Sequence, residues 1–264
     1  MGLMLSISSR KVEASGIFFD KDGTLVDLQY QFSQLMEGRL RFILPRLKGD
    51  GRSIQGEIAT AVGYDPGTGK VHPNGALGHS TRAETMGIVS GVLEKQGYER
   101  DSAQEIARGA FDEADQALPL DTLIKPTHGA LTLLAALKDQ GTPLACLTND
   151  MRRRTERALE LLGVRDYFDI ILGADDSETP KPDPQIFLKA CRSLNLDPRE
   201  VVMVGDSSDD MEMARRAGAG LAVRIVSEDE GVDDLPSEGL EIHIRKLDEI
   251  LIFRKNGGPQ TFKR

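Results

Sequence analysis

The sequence predicts an α/β fold in which a parallel sheet is covered by helices and interrupted by a long helical insertion, and three observations predict it. The apolar, β-favouring run GIFF at 16–19 stops abruptly at the polar cluster DKDGT. From about Leu28 to Leu123 apolar residues recur at helical spacing, with little that reads as strand. Beyond Pro126 short strand-like runs alternate with helical ones, the pattern of parallel strands joined by crossover helices on both faces.

Taken in order, residues 1 to about 12 are expected to be loosely ordered. GIFF is the first strand, apolar throughout as a buried strand should be. In the insertion, Phe32, Leu35, Met36, Leu40, Ile43, Leu44 and Leu47 mark one helical stripe, and Ile106, Ala110, Phe111 and Ala114 another. A helix through Leu131, Leu134 and Leu137 ends near Gly141, PLACLT at 143–148 supplies the next strand, and a further helix ends at Gly163. DIIL at 169–172 precedes a helix opening at Asp183-Pro184. VVMV at 201–204 precedes a helix closing at Gly218, and LAVRI at 221–225 is the last strand before the acidic run SEDEGVDD, read as a solvated loop. The economical partition is a Rossmann-like core of residues 1–27 and 124–264, with an all-helical cap of residues 28–123 inserted after the first strand.

Composition narrows the function. With 264 residues and 39% hydrophobic content the chain can bury a sizeable core. A net charge of −9 argues against broad attraction to nucleic acid or anionic membrane, so an anionic ligand would need local positive charge. Cys146 and Cys191 are too few for a disulfide framework and suit buried, reduced thiols in a cytoplasm. No apolar run approaches the roughly 18 residues of a membrane span, and the opening MGLMLSISSRK lacks the basic leader and core of a signal peptide.

Ligands of open α/β sheets bind beyond the carboxyl ends of the strands, so the polar residues that terminate each strand are the ones to collect. These are Asp20, Asp22, Gly23 and Thr24; then Thr148, Asn149 and Asp150; then Lys181; then Asp206, Ser207, Asp209 and Asp210. Carboxylates crowded at one sheet edge repel one another unless a cation neutralises them, and oxygen donors without a His or Cys cluster suit magnesium better than zinc. Individually the segments have local explanations: TND and SSDD as helix N-caps, KPDP as a rigid turn. A calcium loop is excluded, because an EF-hand needs glycine at its sixth position and DKDG places it at the fourth.

In this order FFDKDGTLVD, LTND, KPDP and VGDSSDD resemble the four motifs of the haloacid dehalogenase superfamily, and the helical insertion resembles the cap of its phosphoglycolate phosphatase and β-phosphoglucomutase branch. The resemblance implies that Asp20 is the nucleophile, forming an aspartyl-phosphate, and that Asp22 is the general acid and base. It implies magnesium held by the Asp20 carboxylate, the Asp22 backbone carbonyl and Asp206, with Asp210 holding metal-bound water or Lys181. Gly23, Thr148, Asn149 and Lys181 would bind the phosphoryl group, Thr148 and Lys181 also serving catalysis. The substrate would be a small phosphorylated metabolite, over which the cap closes. Two positions depart from the family pattern: Lys21 stands where many relatives carry an apolar residue, and Leu28 follows Asp27 where related caps often begin with Ser. Neither is expected to touch the chemistry.

The cap segment GYDPGTGKVHPNGALGHSTRAE is not a phosphate-binding P-loop, since Tyr64 and Val71 occupy the positions that need Gly and Ser or Thr. Lys70, His72, His79 or Arg82 could touch substrate there, against a surface turn and a helix cap of Thr81 with Glu84. The rival functions are a phosphomutase, which needs the same aspartates, and a silent phosphometabolite-binding protein. A phosphonatase would need a Schiff-base lysine such as Lys48, Lys70 or Lys95. A dehalogenase has no use for Asp22 or Asp206.

Overall fold

A computed structural model describes residues 2–8, 10–72, 75–227 and 239–253. The chain opens with β1 (Leu3–Ile7), β2 (Arg10–Ala14) and β3 (Gly16–Phe19). Residues 2–8 and 10–12 are therefore not loosely ordered, a correction to the expectation above. β1 lies between β2 and β11 (Ile250–Phe253) in a three-stranded antiparallel sheet. The reason is the alternation in LMLSI, which turns Leu5 and Ile7 to one face. There they pack with Ala14, Ile250 and Ile252 against Leu133, Leu134 and Leu137 of α6 (Ala130–Asp139). Leu5 is fully buried, and Leu5→Ala is expected to cost about 2–4 kcal/mol, read as a lowered urea midpoint.

The main sheet has six parallel strands in the order β10-β9-β8-β3-β6-β7. They are β6 (Leu144–Leu147), β7 (Ile170–Leu172), β8 (Val201–Gly205), β9 (Leu221–Ile225) and β10 (Glu241–Ile244) around β3. The all-buried GIFF thus becomes a central strand, and its alternation serves two cores. Ile17 and Phe19 join the cluster that holds β1 and α6, while Phe18 packs on the other face with Phe187, ring centroids 5.0 Å apart. Among the described residues, α6 precedes β6, and α7 (Arg152–Leu161), α8 (Gln185–Leu194) and α9 (Ser208–Ala217) are the crossover helices that follow β6, β7 and β8. From β3 the chain adds β6 and β7 on one side, then crosses to β8, β9 and β10 on the other. That reversal of strand order is where open α/β sheets form their ligand crevice.

Contacts divide the chain into two compact units, Met1–Asp27 with Lys125–Arg264, and Leu28–Ile124. The inserted unit is helical: α1 (Leu28–Ile43), α2 (Gly51–Val62), α3 (Ala76–His79), α4 (Arg82–Lys95) and α5 (Arg100–Ala117), with its own core of residues including Met36, Ile58, Leu93 and Phe111. Among its described residues it also contains a hairpin, β4 (Tyr64–Asp65) with β5 (Lys70–Val71). Asp65 closes that hairpin by accepting from the Gly67 amide and the Thr68 hydroxyl, as Asx turns do. The run SEDEGVDD lies almost wholly outside the described residues. No helix among the described residues is long and apolar enough to cross a membrane.

Candidate active site

The carboxyl ends of β3, β6 and β8 bring most of the nominated residues together. Lys181 is 5% exposed, and its ammonium donates to Asp20 Oδ1 at 2.6 Å and to Asp210 Oδ1 at 2.7 Å. Carboxylate oxygens of Asp20, Asp206 and Asp210 lie within 4.8 Å of one another. Asp20 is placed by the sheet itself, since its amide donates to the Val204 carbonyl of β8. Asp210 is placed by a capping box at the start of α9. Its amide donates to Ser207 Oγ, its Oδ2 accepts from the Ser207 amide and hydroxyl, and Oδ1 is left for Lys181. SSDD is thus both a helix cap and part of the site.

Gly23 has φ +80°, and a Cβ there would stand 2.0 Å from Asp206 Oδ2. Only glycine lets the loop after β3 lie so close to the carboxylate that follows β8. The approach seen at Gly23 is thus to Asp206. Asn149 uses its side chain locally, Oδ1 accepting from the Lys181 amide at 2.9 Å. Thr148 is buried, and its hydroxyl accepts from the Asp150 amide at 3.1 Å. TND does not cap α7: Met151 holds the N-cap position, and Asp150 accepts from the Met151 amide.

Asp22 faces elsewhere. Its carboxylate is outside the acidic cluster and pairs with the Lys21 ammonium at 2.9 Å, while Lys21 also donates to Asp150 at 2.7 Å. Lys21 is buried. The expectation that Lys21 has no contact with the nominated chemistry is corrected: its side chain grips one of the two loop aspartates. Its sequence carried no signal for this, because the partner at Asp150 lies 129 positions away.

The electrostatics ask for a cation. Burial drives the Asp20 carboxyl well above its usual range, Lys181 pulls it down, and Asp210, Asp206 and Asp22 push it further up. Asp206 is pushed up to about 7, first by burial and then by Asp210. Burial works against the Lys181 charge, but Asp20 and Asp210 outweigh it and hold the ammonium above its ordinary range. One ammonium cannot neutralise three neighbouring carboxyl groups at once, so burial and mutual repulsion hold Asp20 and Asp206 toward their protonated forms unless a further cation joins them. An all-oxygen donor set of this kind fits a hard divalent cation such as magnesium.

The cap nominees lie outside the acidic cluster. Lys70 and His72 are exposed, and the His79 side chain lies outside the described residues. Arg82 pairs with Asp112 at 2.6 Å and Asp115 at 2.7 Å, with its guanidinium 5.6 Å from the Phe111 ring centroid. Thr81 and Glu84 form the capping box that the sequence suggests. Lys48, Lys70 and Lys95 are all exposed, without the apolar burial that activates a Schiff-base lysine. A separate cavity of about 710 Å³ opens near the amino ends of β3, β6 and β8, lined by Ser15, Pro143 and Glu200 among others. It contains none of the acidic cluster.

The profile of the haloacid dehalogenase-like hydrolases matches residues 14–218. The phosphoglycolate phosphatase of Chromobacterium violaceum is 30% identical over 243 residues, covering 91% of this chain and 96% of that protein. The pyrophosphatase PpaX of Halalkalibacterium halodurans is 36% identical over 103 residues, 39% of this chain, and the match spans only 48% of that relative. A haloacid dehalogenase-superfamily hydrolase of Geobacter sulfurreducens aligns with a TM-score of 0.58 at 20% identity, over 88% of this chain and 93% of that one. A Deinococcus radiodurans family hydrolase, crystallised with bound phosphate and sodium, gives 0.55 at 18% over 83% of each chain. At these identities the two structures speak for the fold alone.

Proposed function

The chain belongs to the haloacid dehalogenase-like hydrolases, and from that premise we propose that it is a magnesium-dependent phosphatase acting on a small phosphomonoester through an aspartyl-phosphate on Asp20. The observation that carries the reading is the buried Lys181 bridge between Asp20 and Asp210, with Asp206 close enough to share a cation. The near-full-length likeness to a protein named phosphoglycolate phosphatase supports a small substrate of that kind. Two free, buried thiols suit the reducing cytoplasm that completes the proposal.

In the first step an Asp20 oxygen attacks phosphorus and the phosphorus–oxygen ester bond breaks, its electron pair leaving with the substrate oxygen. That oxygen takes the proton of the Asp22 carboxyl. In the second step water attacks phosphorus, Asp22 takes the water proton, and the Asp20 carboxylate is regenerated with release of phosphate. Lys181 supplies fixed positive charge for the phosphoryl oxygens, while Thr148 and the Asn149 amide position them. Magnesium, held by the Asp20 carboxylate, the Asp22 carbonyl and Asp206, would neutralise the carboxylates together with the incoming phosphate.

The test is phosphate release from 4-nitrophenyl phosphate and from a panel of small phosphometabolites, with magnesium and then with excess EDTA. Release in magnesium and its loss, by at least about 100-fold, in EDTA is expected. Undiminished release in EDTA would remove the metal from the proposal, and no release from any substrate in magnesium would remove the phosphatase.

A further inference from the structure

Lys21 sits between the proposed nucleophile and the proposed acid in sequence, but its ammonium is directed to a different loop. It lies 2.7 Å from Asp150 Oδ2 and 2.9 Å from Asp22 Oδ2, on a side chain only 7% exposed. Asp150 is itself firmly held. Its Oδ1 accepts from the Met151 amide at 2.8 Å, its amide donates to Thr148 Oγ1, and its carbonyl accepts from the Ala174 amide at 2.9 Å. Arg154 adds a second positive charge 3.4 Å from Asp150 Oδ1. Lys21 is thus fixed at one end to a rigid anchor on the loop after β6. The side chain it grips at the other end, Asp22, is 32% exposed.

Burying an ammonium between carboxylates is weak support for stability, since desolvation offsets most of the attraction. Control of where a carboxylate points is a better use of it. A general acid works only within hydrogen-bond reach of the departing oxygen, and small losses of orientation are costly in rate. Resting on the phosphatase reading, we propose that Lys21 is a positioning residue that anchors the Asp22 carboxyl group to Asp150, and so to the phosphate-binding loop, for proton transfer from its protonated form to the leaving group.

The role is tested by leaving-group dependence, which loss of packing alone does not change. Benzyl phosphate departs as a strongly basic alkoxide that needs the Asp22 proton, whereas 4-nitrophenyl phosphate departs as a weakly basic phenolate that does not. kcat/KM reports the first transfer for both. Lys21→Met is expected to lower kcat/KM for benzyl phosphate about 100-fold and for 4-nitrophenyl phosphate less than about 10-fold. Lys21→Arg is expected to restore part of the difference. In an Asp22→Asn background, where single-turnover release is followed, Lys21→Met is expected to add no further discrimination.

Equal losses on the two esters, a gain on benzyl phosphate, or discrimination that persists without Asp22 would overturn the role. Should Lys21→Met fail to fold, Asp150→Asn decides. It keeps Lys21 but weakens the anchor, and it is expected to shift the ratio the same way by a smaller factor, an unchanged ratio overturning the role. Wild-type protein that releases phosphate from neither ester nor any phosphometabolite of the panel in magnesium would overturn the phosphatase reading itself. An active Lys21→Met with an unaltered ratio would overturn only the assignment of Lys21.

Discussion

Asp20→Asn is expected to reduce phosphate release by at least about 10⁴-fold while the protein stays folded. The asparagine keeps the shape of the side chain and an oxygen that can accept from Lys181, so the strand-end loop has no steric reason to move. What it loses is a nucleophilic oxygen able to form an acyl phosphate. It also removes one of three mutually repelling carboxylates whose burial already holds Asp20 well above the ordinary range. The variant without metal should therefore be no less stable than the parent. Steady-state release together with urea denaturation checks both halves, and normal turnover would sink the nucleophile assignment.

Lys181→Met carries the second largest effect, because it acts on stability and turnover together. The ammonium is the shared partner of Asp20 and Asp210, all three side chains being less than 8% exposed. Methionine fills most of the volume but leaves those carboxylates facing each other and Asp206. Breaking one side of a buried ionic cluster costs about 3–5 kcal/mol, and loss of a preorganised charge at the phosphoryl group costs about 10²–10³-fold in kcat. Magnesium should recover part of the stability by mass action, so the gap between parent and variant in urea midpoint should narrow as magnesium is added. A gap that is constant with magnesium would mean that the cation and Lys181 serve different carboxylates.

The parallel core and the site were legible to different depths. GIFF, PLACLT, DIIL, VVMV and LAVRI announced themselves because central parallel strands are apolar on both faces. β1 and β2 did not, because LMLSI and RKVEA bury only one face and reveal that face only when β11 and α6 cover it. At the site, the strand-end position of Asp20, Lys181, Asp206 and Asp210 was enough to group them. Their division of labour was not legible: that Gly23 makes room for Asp206, that Asn149 holds a backbone amide, and that Lys21 reaches Asp150 are facts of three-dimensional approach with no local sequence pattern.

The pairing of β1 with β11 also orders events in time. Ser6 sits opposite Leu251 and Ile7 opposite Ile250, so β1 must wait for β11 to be synthesised, a delay of roughly 10–50 s at ordinary elongation rates. During that interval Leu5 and Ile7 lack one of their two neighbouring strands. A nascent chain stalled ahead of Ile250 can form the β1–β2 hairpin but not the finished sheet, and hairpins alone are marginal in water. Closure of this small sheet is therefore a late event in the life of each molecule, and a chain released short of it is the one a quality-control protease should find first.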